Sequence, residues 1–155
     1  MTDLSHLDDH GRARMVDVSA KPETERAATA EAFVAMTPAT RDAVFGGTLP
    51  KGDAVAVVRI AAITGAKRTP DLIPLCHPLP LTGISVDVER TDSGARIVVT
   101  ATTVGRTGVE MEAITGAAIG AVTLYDMIKG LDRGAEIGPI RLVAKRGGAS
   151  GEWTR

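Results

Sequence analysis

Between residues 81 and 104 the chain alternates twice. Leu81–Arg90 sets Ile84, Val86 and Val88 against Ser85, Asp87 and Glu89, and Arg96–Val104 alternates again after Thr91-Asp92-Ser93-Gly94. A period of two on both sides of such a turn predicts a β-hairpin. The flanking segments have a different period. Lys51–Lys67 (KGDAVAVVRIAAITGAK) is apolar on nearly every side, rich in Ala and without a turn signal until Gly65. Its length favours a buried helix over a strand. Downstream, Ile114, Ala118, Ala121, Tyr125 and Ile128 recur at helical spacing up to Gly130, and Thr107-Gly108-Val109-Glu110 has the spacing of a capping box. Arg26–Met36 alternates Ala28, Ala30 and Ala32 with Thr29 and Glu31, and Glu136–Lys145 carries Ile140, Leu142 and Ala144 on one side, so both read as strands. Thr37-Pro38 starts a short helix through Phe45, closed by Gly46-Gly47.

The order strand, helix, strand, strand, helix, strand predicts an α+β fold of the ferredoxin-like, split βαβ kind. Two helices would cover one face of an antiparallel sheet. The third strand is apolar on both sides, with Ile97, Val99 and Ala101 against Val98 and Val104, so its second face is expected to meet another subunit. At 155 residues the chain is expected to be a single domain. Residues 1–25, poor in apolar side chains, read as a flexible N-terminal arm, and residues 146–155 as a glycine-rich tail.

Charge and aromatic content exclude some partners. With 18 basic against 19 acidic residues there is no global field to attract a phosphate backbone, and 3% aromatic residues give no stacking platform, so nucleic acid is not expected. Cys76 is the sole cysteine, which excludes an intrachain disulfide and fits a reducing compartment. No apolar run reaches the length of a membrane span and no basic-then-apolar signal opens the chain, so no membrane and a cytoplasmic location are expected.

Chemistry-bearing residues gather in three places. The segment PDLIPLCHPLP (Pro70–Pro80) holds Cys76 and His77 between prolines of fixed φ, either as a stiff binding loop or as a buried connector. One Cys with His6, His10 and His77 is too sparse for a zinc cage, so no metal site is expected. On the long helix, Glu112, Thr115, Thr123 and Asp126 fall near one line with Lys129 one turn beyond; they read as an exposed stripe with an ion pair or as acid/base groups shifted by apolar neighbours. Lys51-Gly52 and Lys145-Arg146-Gly147-Gly148 could hold a phosphate between backbone N–H groups and an ammonium, though neither has P-loop spacing.

Met15-Val16-Asp17-Val18, LIPLCHPL (Leu72–Leu79), TGVEMEA (Thr107–Ala113), Tyr125-Asp126-Met127 with Lys129, and Lys145 before Gly147-Gly148 together resemble, in order and spacing, the molybdenum cofactor biosynthesis protein C family of cyclic pyranopterin monophosphate synthases. The resemblance runs from about Leu4 to Trp153. It implies a nucleotide substrate, cyclic dihydro-GTP, converted to cyclic pyranopterin monophosphate with loss of pyrophosphate. It also implies a homohexamer built as a trimer of dimers. It implies no cofactor and leaves a divalent-metal requirement open.

By the same resemblance Asp126, Lys129 and Lys51 are the catalytic set, with Asp126 moving a proton and Lys129 donating one or stabilising an oxyanion. Leu75, Cys76, His77, Glu110, Met111, Glu112, Lys67 and Lys145 are substrate-binding, with His77, Lys51 and Lys145 on the phosphates. The family's usual tail has Ser and Lys where this chain has Arg146 and Ala149. Ferredoxin-like domains also serve as non-catalytic sensors of small molecules; Asp126 and Lys129 are the residues a sensor would not need. Finally, Glu112 and Asp126 are fourteen positions apart on one helix, about 21 Å at 1.5 Å per residue, so an antiparallel partner subunit is expected to complete each site. Gly116 and Gly120 would either let the partner helices approach closely or pack on their own sheet.

Overall fold

The computed structural model describes residues 6–155. Its elements run β1 (Thr24–Ala35), α1 (Pro38–Gly46), α2 (Ala54–Lys67), α3 (Thr69–Leu72), β2 (Leu81–Thr91), β3 (Gly94–Gly105), α4 (Glu110–Ile128), β4 (Glu136–Arg146) and β5 (Trp153–Thr154). The strands form one antiparallel sheet of order β2-β3-β1-β4-β5. Its first four strands have the ferredoxin-like arrangement that the sequence pattern predicts. β2 and β3 are the expected hairpin, from Thr91 opposite Gly94 up to Leu81 opposite Thr103. Gly94 is required there, because a Cβ would collide with the Val34 carbonyl oxygen.

Small residues set the spacing between the layers. Ala28, Ala30, Ala32 and Val34 of β1 and Ala95, Ile97, Val99 and Ala101 of β3 are buried on the face that α2 and α4 cover. Each of the larger fully buried side chains, Val34, Ile97, Val99 and Leu124, contributes about 1.5–3 kcal/mol on leaving water. Gly116 and Gly120 of α4 belong to this packing. A Cβ at Gly116 would lie 3.0 Å from the Ala62 carbonyl oxygen and 3.1 Å from Val99 Cγ1, and one at Gly120 would lie 3.3 Å from Ile97 Cγ2. The glycines therefore face their own sheet and α2, and present no surface to a partner helix.

Helix starts follow their caps. Thr37 accepts the Thr40 N–H at 3.3 Å with Pro38 at the first helical position, as expected. In α2 the cap is Asp53, which accepts the Ala56 N–H at 3.0 Å, so the helix begins three residues later than Lys51. Gly52, at φ 95°, cannot continue a right-handed helix backwards, and Lys51 is left outside to reach elsewhere. The capping box before α4 does not form: Val109 holds the cap position, no side chain caps it, and α4 begins at Glu110. Part of the proline-rich segment is helical, with Pro70 in the first turn of α3.

The tail also differs from a plain glycine-rich terminus. Gly147 and Gly148, at φ 92° and 73°, turn the chain so that Trp153 and Thr154 pair with Lys145 and Ala144. A Cβ at Gly147 would collide with the Glu25 carbonyl oxygen. Of the arm, residues 1–5 lie outside the described residues; from His6 onward it has defined backbone contacts, including a bridge between Leu7 and Ala13.

On the sheet face away from the helices, Glu31 is 5% exposed between Arg96 and Arg141, at 2.6 and 2.7 Å. Burial pushes its carboxyl up, and the hydrogen bonds from Arg141 and Arg96 outweigh that, leaving it below its ordinary value. Val98 is half-buried on this face and Val104 exposed. Among the described residues α4 is the one helix long and apolar enough to cross a membrane by length and composition, where no such run was expected. Ten of its residues are buried within the fold, which accounts for its apolarity.

Candidate active site

The two ends of α4 carry the two groups of candidate residues. At the N-terminal end a cavity of about 280 Å³ is lined by Leu75, Cys76 and His77 from the segment after α3 and by Glu110, Met111 and Glu112 from the first turn of α4. A turn places the first group: Cys76 N–H donates to the Ile73 carbonyl at 3.1 Å across Pro74, whose fixed φ suits that turn. Two sequence segments more than thirty residues apart thus line one cavity.

Within the cavity Glu112 is 3% exposed. Burial pushes its carboxyl pKa up, its own backbone N–H partly offsets that, and the nearby Glu110 raises it further. The Cys76 thiol is pushed up by burial and by the Glu112 charge, so it stays a protonated, weakly donating group and is no nucleophile in this state. Glu110, freed from capping, lies 3.5 Å from Lys145 Nζ, and the lysine also donates to Ser150 Oγ. The β5 turn-back therefore carries Ser150 to the Lys145 ammonium.

The same cavity is also lined by residues that the sequence did not assign to the site: Val16, Val18 and Lys21 of the arm, with His6, Leu79, Thr107 and Gly108. Val16 and Val18 belong to a recognisable motif, but a segment without periodicity offers no sign of where it docks. Lys67 does not line this cavity; it sits at the end of α2 in a separate depression with Ile63 and residues 81–84.

At the other end, Asp126 stands between two lysines. Lys51 Nζ lies 2.9 Å from Asp126 Oδ2 and 2.7 Å from the Asp126 carbonyl oxygen, and Lys129 Nζ lies 2.8 Å from Oδ1. Lys51 reaches this point because α2 runs antiparallel to α4: Ala66 and Ala62 pack at Gly116, and Ala62 and Val58 at Gly120. The cations also suit the helix C-terminus, where backbone carbonyls are unpaired. Hydrogen bonds from Lys129 and then Lys51 hold the Asp126 carboxyl down to about 2, and Asp126 raises the Lys129 ammonium above its ordinary value. Asp126 and Lys129 are therefore both ionised near neutral pH. Such a group stabilises a developing negative charge and orients a phosphate better than it abstracts a proton. Among the described residues no three His, Cys, Asp or Glu side chains gather to hold a metal.

A family model described as the MoaC family matches residues 15–148. The chain is 56% identical over 154 residues to the cyclic pyranopterin monophosphate synthase of Roseiflexus castenholzii, covering 98% of each. It is 53% identical to that of Corynebacterium efficiens over 154 residues and 99% of each chain, and 54% identical to that of Rhodospirillum rubrum over 153 residues, 97% of this chain and 92% of the other.

Proposed function

Since the chain belongs to the MoaC family, we propose that it is a cyclic pyranopterin monophosphate synthase, converting cyclic dihydro-GTP to cyclic pyranopterin monophosphate with release of pyrophosphate in molybdenum cofactor biosynthesis. The observation that carries this reading is the cavity in which Leu75-Cys76-His77 meets Glu110-Met111-Glu112. It places a buried carboxyl of raised pKa beside groups able to bind a purine and its phosphates.

The reaction needs charge neutralisation and proton transfer. A substrate hydroxyl forms a bond to the α-phosphorus while the α–β phosphoanhydride breaks; the hydroxyl proton leaves to a base and the pyrophosphate takes up the electron pair. Ring rebuilding needs further proton transfers at nitrogen and carbon. Glu112 suits proton transfer, because its carboxyl is raised towards the working pH. Lys51 and Lys129, both ion-paired to Asp126, suit the leaving phosphates. His77 and Lys145 bind the anionic end of the substrate, and Lys67 the same end from outside the cavity.

Both groups serve one reacting molecule only if two chains contribute. Fourteen residues of helix separate Glu112 from Asp126, about 21 Å. We place each site across a two-fold interface, with the Glu112 end of one α4 beside the Asp126 end of the other. A trimer of such dimers is the homohexamer. Val57 and Ile60 of α2 and Val122 of α4, 42, 67 and 55% exposed, supply apolar surface for these contacts.

The test is direct. Purified protein is incubated with cyclic dihydro-GTP, and pyrophosphate and the pterin product are measured. Release of both supports the reading. Tight binding without release, with or without divalent metal, makes the domain a non-catalytic sensor.

A further inference from the structure

Among the described residues His77 makes one hydrogen bond, and its partner is unusual. The ring Nε2 lies 2.7 Å from the backbone carbonyl oxygen of Val16, sixty-one residues earlier. A carbonyl can only accept, so Nε2 must carry the hydrogen. The ring's other nitrogen, Nδ1, has no partner among the described residues.

The segment that supplies this carbonyl is self-contained. In residues 6–14, Arg14 N–H donates to the His6 carbonyl at 2.8 Å and Asp8 N–H to the Arg12 carbonyl at 2.9 Å. The Asp8 carboxylate accepts from the backbone N–H groups of His10 and Arg12, and Asp17 accepts from Ser19 at 2.8 Å. Among the described residues, the His77–Val16 bond is the only hydrogen bond joining residues 6–21 to the rest of the chain. His6, Val16 and Val18 nonetheless form a wall of the cavity that holds Glu112.

We infer that the Val16 carbonyl is a positioning group for His77, committing Nε2 to the arm and reserving Nδ1 for the ligand, and that His77 in turn latches the arm over the cavity. In the neutral ring Nδ1 is then an acceptor; with a second proton it becomes a donor to an anion, and the latch survives in both states. The latch stands on geometry alone; only the identity of the molecule beneath the arm rests on the proposed reaction.

Two substitutions separate the ring nitrogens, because a Gln amide can occupy the position of Nε2 and an Asn amide that of Nδ1. Tryptic cleavage at Arg12 and Arg14 in the full chain reads the latch. His77→Gln should keep the arm as protected as wild type, whereas His77→Asn and His77→Ala should be cut about tenfold faster, the equivalent of one hydrogen bond. His77→Gln should also raise KM about tenfold despite its intact latch, since the nitrogen facing the ligand is gone. In wild-type protein with 15N-labelled histidine, long-range 1H–15N correlations should show the neutral ring with its hydrogen on Nε2. Equal protection of the Gln and Asn variants, or a neutral ring with its hydrogen on Nδ1, overturns the latch. Cyclic dihydro-GTP should slow cleavage of wild type further; a wrong assignment of the reaction abolishes that slowing and leaves the Gln and Asn difference in place.

Discussion

Glu112 and Asp126 lie on one helix with their carboxyl groups displaced in opposite directions. Glu112, buried at the N-terminal end, is raised by desolvation. Asp126, exposed at the C-terminal end, is held down to about 2 by Lys129 and Lys51. Two carboxyls pushed apart by their surroundings are suited to different tasks. Here the buried one keeps its proton to higher pH than an ordinary carboxyl, and the exposed one is a fixed negative charge that keeps two lysines in place.

Asp126→Asn or Lys129→Ala should lower kcat by about 100-fold or more, the scale for losing a positioned charged group in the transition state. Both side chains are more than half exposed, so thermal unfolding should stay close to wild type. Steady-state kinetics beside a melting curve checks this. Turnover near wild type in both variants would remove the ion cluster from the chemistry.

Glu112 also makes a prediction about pH. A folded-state pKa above the ordinary 4.5 means that its stability contribution is fully present below about 4.5 and is lost as pH rises through the folded value. Glu112→Gln cannot ionise, so denaturant unfolding should find it more stable than wild type at neutral pH and comparable at pH 4. Turnover should nevertheless fall by about 100-fold, because an amide moves no proton. A variant both active and unchanged in its pH dependence of stability would contradict the placement of this carboxyl.

The two helix glycines should respond differently to alanine. At Gly116 the added Cβ meets the Ala62 carbonyl oxygen at 3.0 Å, a backbone atom that cannot move aside cheaply. Overpacking of about 1–3 kcal/mol should exceed the helix gain of about 1 kcal/mol, lowering Tm by a few degrees. At Gly120 the nearest atoms are side-chain carbons at 3.3–3.5 Å, so Gly120→Ala should be close to neutral. Calorimetry on the pair decides the matter, and equal effects would mean that the close approach of α2 is not limiting.

Periodicity made the sheet and its two long helices legible, because Ala28, Ala30 and Ala32 on β1 and Ile97 and Val99 on β3 must share a face whatever else the chain does. The cap of α4 departs from its sequence pattern because of a distant contact. Thr107 and Glu110 have the right spacing, but Glu110 is drawn to Lys145 across the fold, a contact no short-range pattern contains. The arm and β5 have few apolar residues, so nothing periodic signals their docking; their positions depend on single contacts such as the bond from His77 to Val16 and the pairing of Trp153 with Lys145. Of the site, the motifs identified the residues, and the structure divides them into two groups.

That division yields the last prediction. If each site takes Glu112 from one chain and Lys129 from its partner, two inactive variants can restore each other. In equal amounts, Glu112→Ala and Lys129→Ala chains unfolded and reassembled together give half mixed dimers. In each mixed dimer one site receives both substitutions and the other receives neither, so about a quarter of wild-type activity should return. If one chain's pocket held both residues, every site would lack one of them and nothing would return. Mass analysis of differently tagged chains establishes that mixed dimers have formed. Absence of activity from such a preparation would place the whole site within one subunit or remove one of the two residues from it.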